Sequence, residues 1–134
     1  MRLCSGQQIG AYTVEHLLGS GGMASVWSVW HAYRDERYAL KVLAHPTPRL
    51  RQRLLKEGRA QEALRHPNLL PVLDIVDPDG ICGLLMPLIR GPSLRQVIQQ
   101  TRLSEADGLG LLIQIAEGLQ AAHTVSYTHL RAHE

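Results

Sequence analysis

The sequence predicts an α+β fold: a five-stranded antiparallel sheet with one helix against it, followed by two further helices. Three observations carry that expectation. From Ala11 onward, three short segments rich in β-branched and aromatic residues follow one another, separated by turn-forming residues. An amphipathic segment that opens on a proline then interrupts them before two more strand-like runs. The rest of the chain places its apolar residues at helical spacing.

Each element has its own signal. "AYTVEHLL" (11–18) alternates loosely and reads as a strand, and "SVWSVWHAY" (25–33) follows a glycine-rich turn. "RDER" is a charged turn before the third strand, "YALKVL" (38–43). "HPTP" (45–48) breaks the chain, with Thr47 as N-cap and Pro48 as first residue of a helix reaching about Leu64. "RHPN" stops it. "LLPVLDIV" and "ICGLLM" are the last strands, joined by the turn "DPDG". "GPSLRQVIQQ" reads as a short helix capped by Ser93. "LSEADGLGLLIQIAEGLQAAH" is longer, with Ser104 and Asp107 approximating a capping box. Its Leu109, Leu112, Ile113, Ala116 and Leu119 keep helical spacing.

Composition narrows the function classes. The 134 residues are 45% hydrophobic and 19% charged, enough for one soluble domain with a modest core. Net charge is +2 with scattered basic residues, and the densest run, "RLRQRLLK" (49–56), reads as a solvated helix face. A nucleic-acid partner is not expected. Cys4 and Cys82 stand far apart and form no C-x-x-C pair, so neither a disulfide framework nor a zinc site is implied. Such cysteine usage suits a reducing, cytoplasmic setting. The chain shows no signal peptide and no apolar run of membrane-spanning length.

Three features bear chemistry. In G-x-G-x-x-A-x-V, Gly19, Gly21 and Ala24 precede Val26, and a strand follows them instead of a helix. That excludes a dinucleotide fingerprint, and no Lys-Ser or Lys-Thr completes a Walker motif. Two readings remain: a turn whose N–H groups hold phosphate oxygens, or a bare hairpin. Alternation puts Arg37, Ala39, Lys41 and Leu43 on one strand face, where small Ala39 leaves room beside Lys41. An edge-strand lysine facing water would look the same. On the first helix Leu50, Leu54, Glu57, Gln61 and Leu64 share a narrow face, with Glu57 near its centre. An inward carboxylate requires a cation; a partly exposed one at the stripe's edge does not.

Taken together, "LGSGGMASV", "YALK", "RHPNLLPVLD" and "LLMPLIRGPSL" resemble the N-terminal lobe of a protein kinase, most like the bacterial Ser/Thr kinases of eukaryotic type. The resemblance implies that Lys41 binds the α and β phosphates of ATP and that Glu57 pairs with it. It implies a phosphate-covering loop of Leu18, Gly19, Ser20, Gly21, Gly22, Met23 and Ala24, the last standing where a third glycine is usual. Val26 and Ala39 would sandwich the adenine, Met86 would be the gatekeeper, and the Pro87 carbonyl and Ile89 N–H would face the adenine edge. In a complete enzyme this lobe serves phosphoryl transfer from Mg-ATP to a protein Ser or Thr hydroxyl. The alternative is a non-catalytic, pseudokinase-like module that binds nucleotide or a partner; a purely structural sheet protein is the third reading.

The resemblance implies a division into an N-terminal extension (1–8), a kinase N-lobe and hinge (9–91), the first helices of an incomplete C-lobe (92–123) and a non-native or disordered tail (124–134). Past His123 the family's H-R-D-x-x-x-x-N would follow, but the chain reads "TVSYTHLRAHE". His129 falls where the motif's His could stand, and Leu130 and Arg131 then replace its Arg and Asp. No D-F-G or A-P-E segment is present, so no metal site is expected and the chain is expected to be inactive, a piece ending before the catalytic loop. His129, His133 and Glu134 have ligand-like spacing, but a terminal segment without supporting residues reads as tail. The 109–119 stripe would lack its C-lobe partners, leaving an apolar face open to self-association.

Overall fold

The computed structural model describes residues 3–78 and 80–131, with side chains through residue 124. Its strands are β1 (Gln8–Ile9), β2 (Tyr12–Ser20), β3 (Ala24–His31), β4 (Glu36–Leu43), β5 (Asp74–Val76) and β6 (Gly83–Pro87). Helix α1 (Pro48–Ala63) separates β4 from β5, and α2 (Leu94–Gln100) and α3 (Glu105–Arg131) follow β6. The sheet is antiparallel in the order β1-β2-β3-β4-β6-β5. The α+β expectation holds, with six strands in place of five. The added strand, β1, is two residues long, too short to show alternation. It folds back on β2 through a turn in which Gly10 takes a φ of +57°, a conformation that favours glycine. "LLPVLDIV" contributes only its last three residues as a strand, because Pro71 has no N–H for a ladder.

The chain forms two compact units. The first comprises the sheet and α1, up to Arg65 together with Leu70–Leu88; the second comprises His66–Leu69 and the residues from Ile89 onward. The loop after α1 thus belongs to the second unit. Side-chain chemistry explains that assignment. Asn68 Nδ2 donates to the Gln114 carbonyl at 3.0 Å and to Glu117 Oε2 at 3.3 Å, both on α3. Gly118 permits the approach, since a Cβ there would stand 2.9 Å from the Asn68 carbonyl oxygen.

In the first unit each face of the sheet has its own apolar layer. One side buries Ile9, Val14, Val29, Leu40, Val42 and Leu85. The other packs Leu43, Val72, Cys82 and Leu84 against Leu54 of α1. The start of α1 is as expected: Thr47 Oγ1 accepts the Leu50 N–H at 3.2 Å and Pro48 opens the helix. Its inner face is not. The buried residues are Leu54 and Gly58, and Glu57 is more than half exposed. A Cβ at Gly58 would lie 2.5 Å from Leu84 Cδ2 and 3.3 Å from Ile75 Cδ1. The helix thus lies against the sheet where it has no side chain, and Glu57 stands off that contact.

In the second unit Ser93 and Gln96 form a full capping box on α2. Ser104 Oγ accepts the Asp107 N–H at 3.1 Å at the start of α3. Helix α3 continues eight residues past His123, to Arg131. The side chain of His129 and all of His133 and Glu134 lie outside the described residues, so the ligand-like spacing has no structural counterpart here. Leu109, Leu112, Ile113 and Leu119 are each half or more exposed. No described helix is long and apolar enough to cross a membrane.

Candidate functional site

Strand register brings the sequence-marked residues to one sheet face. Val26 pairs with Lys41 and Ser28 with Ala39 across β3 and β4, while Ala39 pairs with Met86 and Lys41 with Leu84 across β4 and β6. Directly opposed residues of an antiparallel ladder share a face, so Val26, Ala39, Lys41 and Met86 stand together. The pleat puts Leu40 and Val42 into the opposite core, as alternation requires. Lys41 is exposed, and no carboxylate among the described residues pairs with it. Farther along the face Arg37 Nε donates to both Glu15 oxygens at 3.2 and 3.1 Å, and the Ser28 hydroxyl donates to Glu15 Oε2. That neighbouring cation is already neutralised.

The glycine-rich segment links β2 to β3 directly above Val26. Leu18, Gly19 and Ser20 end β2, Gly21 to Met23 make the turn, and Ala24 opens β3. The Gly21 N–H closes the turn onto the Ala24 carbonyl at 2.9 Å, and the Met23 carbonyl accepts the Ala44 N–H at 3.1 Å. None of Gly19, Gly21 and Gly22 has a positive φ, and a Cβ added at any of them meets nothing closer than 3.8 Å. Neither turn geometry nor internal packing therefore requires glycine here. What its absence of side chain leaves is bare, exposed backbone, which a ligand can approach closely.

Lys41, Arg53 and Glu57 line one cavity of about 240 Å³, with Met23 and Ala24 of the loop on its wall. The Glu57 carboxylate is taken by Arg53, whose Nε donates to Oε1 at 3.1 Å. The structure therefore brings Lys41 and Glu57 to one cavity and gives the carboxylate a different cation from the expected one. Arg53 belongs to the basic run of α1, and its i, i+4 spacing to Glu57 is the sequence signal for this contact. Pro87 ends β6 opposite Tyr38. Ile89 belongs to the second unit and is 66% exposed.

Comparison with known proteins fits this arrangement. The protein kinase domain profile matches residues 12–130. The serine/threonine-protein kinases PknH and PknE of Mycobacterium tuberculosis (strain ATCC 25618 / H37Rv) are 30% and 31% identical to the chain over 128 residues. Those matches take in 92% of this chain but only 20% and 23% of the relatives. The crystal structure of the Mycobacterium tuberculosis PknI kinase domain superposes with a TM-score of 0.74 at 29% identity, covering 92% of this chain and 52% of that one. The chain thus spans about a fifth of the curated relatives and half of a solved kinase domain. With the profile running from the first long strand into the last helix, and the fold matching over 92% of the chain, the chain belongs to the protein kinase family.

Proposed function

We propose that this chain is the ATP-binding portion of a serine/threonine protein kinase. The observation that carries the reading is Lys41: an exposed ammonium with no carboxylate partner among the described residues, beside Ala39 and Val26, under a glycine loop whose glycines the fold itself does not need. The family uses ATP with Mg²⁺, and bound ATP supplies the phosphoryl group that moves to a hydroxyl. The residues present fit its phosphate end: the Lys41 ammonium borders a cavity of about 240 Å³ whose wall includes Met23 and Ala24 of the glycine-rich loop.

In this reading Lys41 binds the α and β phosphates, and the backbone from Leu18 through Ser20, Gly21, Gly22 and Met23 to Ala24 covers them. Val26 and Ala39 hold the adenine faces, Met86 bounds the pocket, and the Pro87 carbonyl meets the adenine edge. Glu57 exchanges Arg53 for Lys41 and fixes the ammonium. The sequence holds no H-R-D-x-x-x-x-N or D-F-G segment, so the chain binds nucleotide without turnover, and Mg²⁺ coordination belongs to the complete enzyme. A cytoplasmic setting, where ATP and reduced thiols coexist, is part of the same proposal.

A second reading, a pseudokinase-like binding module, is favoured by the engagement of Glu57 with Arg53. Thermal denaturation with and without Mg-ATP tests nucleotide binding: saturation at about 100 times Kd stabilises the chain by about 2.7 kcal/mol, and Lys41→Ala abolishes the shift. No shift in the wild-type chain overturns the reading. Transfer of labelled phosphate by the wild-type chain, lost in Lys41→Met, overturns the predicted inactivity.

A further inference from the structure

Besides the packing of Leu54, helix α1 makes two further contacts with its unit on one side. Gly58 lies against Leu84 and Ile75. Two turns earlier, and within about 20° of the same face by helical geometry, Arg51 reaches the β5–β6 connection. Its Nη2 bonds Asp77 Oδ2. The guanidinium also lies beside the Cys82 thiol, and its Nε is buried with no hydrogen-bond partner among the described residues. Asp77 directly follows β5 and Cys82 directly precedes β6. One arginine therefore spans the base of that connection from above.

Two anchors on one face fix a helix in rotation as well as in distance. Leu54 and Gly58 hold α1 against the sheet by apolar packing, which is not directional. Arg51 adds a directional, hydrogen-bonded contact to that packing. Glu57 is six positions after Arg51, about 120° around the helix from the anchored side, and that angle presents it to the cavity it shares with Lys41. Both members of the ion pair remain partly in water, so the pair contributes little to global stability. Its leverage is on orientation.

We propose that the Arg51–Asp77 pair is a positioning latch that sets the rotation of α1, and through it the reach of Glu57 toward Lys41, without contacting nucleotide. This rests on the nucleotide reading above.

The test uses the full chain, with N-methylanthraniloyl-ATP and Mg²⁺ as the fluorescent probe and amide hydrogen exchange across α1 as a readout independent of nucleotide. Arg51→Met and Asp77→Asn each weaken probe binding by about 5-fold or more, a typical coupling between separated sites, and speed exchange in the second half of α1. Arg51→Lys retains most of the affinity, and the reversed pair Arg51→Asp with Asp77→Arg restores slow exchange. If Arg51→Met fails to fold by circular dichroism, the nearly isosteric Asp77→Asn decides. Unchanged exchange in α1 overturns the latch, as does faster exchange with unchanged affinity. Absence of probe binding by the wild-type chain overturns the nucleotide reading instead, and the latch then stands or falls on the exchange data.

Discussion

Arg53 holds Glu57 through an Nε–Oε1 hydrogen bond of 3.1 Å, one helical turn apart, on the wall of the cavity that also contains Lys41. Both side chains are more than half exposed. Exposed i, i+4 pairs of this kind are worth about 0.3–0.5 kcal/mol. Arg53 is therefore a weak holder of a carboxylate, readily exchanged for a better-placed cation. Replacing Arg53 by Met is expected to change stability by no more than about 0.5 kcal/mol while leaving Mg-ATP affinity equal or tighter. Glu57→Gln is expected to weaken it. Calorimetric titration measures both; a several-fold loss of affinity in Arg53→Met would mean that Arg53 itself holds the anion.

Gly58 and Gly110 make a matched pair for testing how closely α1 sits on the sheet. Each is inside a helix, where replacing Gly by Ala gains about 1 kcal/mol of helix propensity. At Gly110 nothing lies within 4 Å of an added Cβ, so Gly110→Ala realises that gain. At Gly58 the Cβ meets Leu84 Cδ2 at 2.5 Å and Ile75 at 3.3 Å, and overpacking costs about 1–3 kcal/mol. Urea denaturation should show Gly58→Ala neutral to destabilising and Gly110→Ala stabilising. Equal stabilisation of the two would contradict the packing.

Cys82 gives the protein an alkaline limit. Burial raises its thiol pKa, Asp77 raises it further, and Arg51 partly opposes them. The folded chain keeps this proton to higher pH than the unfolded chain does. The stabilisation is full below the ordinary thiol value of about 8.5 and is lost as pH rises through the folded-state pKa. Denaturation midpoints measured from pH 7.5 upward should decline, and Cys82→Ala should flatten the first part of the decline. The limb that survives it is expected from Tyr12, whose pKa burial also raises. Midpoints that stay level in the wild-type chain would remove the argument.

The exposed face of α3 should make the chain self-associate. Leu109, Leu112, Ile113 and Leu119 are 59%, 63%, 50% and 52% exposed on one helix, and contiguous apolar patches of this kind promote association. Sedimentation velocity is expected to show mass rising with concentration, and Leu112→Glu with Leu119→Glu to suppress it. A monomer at all concentrations would rule out this surface as an interface.

Much of the site was legible in the sequence because its logic is local. The two-residue period of a strand puts Lys41 and Ala39 on one face whatever surrounds them. The Thr47–Pro48 cap starts α1 through its own hydrogen bond. The glycine motif announces a turn between strands; that its glycines have neither a positive φ nor close packing contacts is visible only in the folded chain.

Tertiary structure decided the rest. A helical wheel ranks faces by apolar side chains, so it chose the stripe through Glu57 and could not see Gly58, whose contribution is the absence of a side chain. The closest approach of α1 to Leu84 and Ile75 reset that rotation. It left Glu57 to Arg53, and it brought Arg51 to Asp77 across 26 positions of sequence. The unit boundary likewise followed Asn68, whose partners on α3 lie 46 and 49 residues away. Periodicity along a chain fixes which way a side chain points from its own backbone; which partner it meets depends on how separate elements pack, and that is decided by shape.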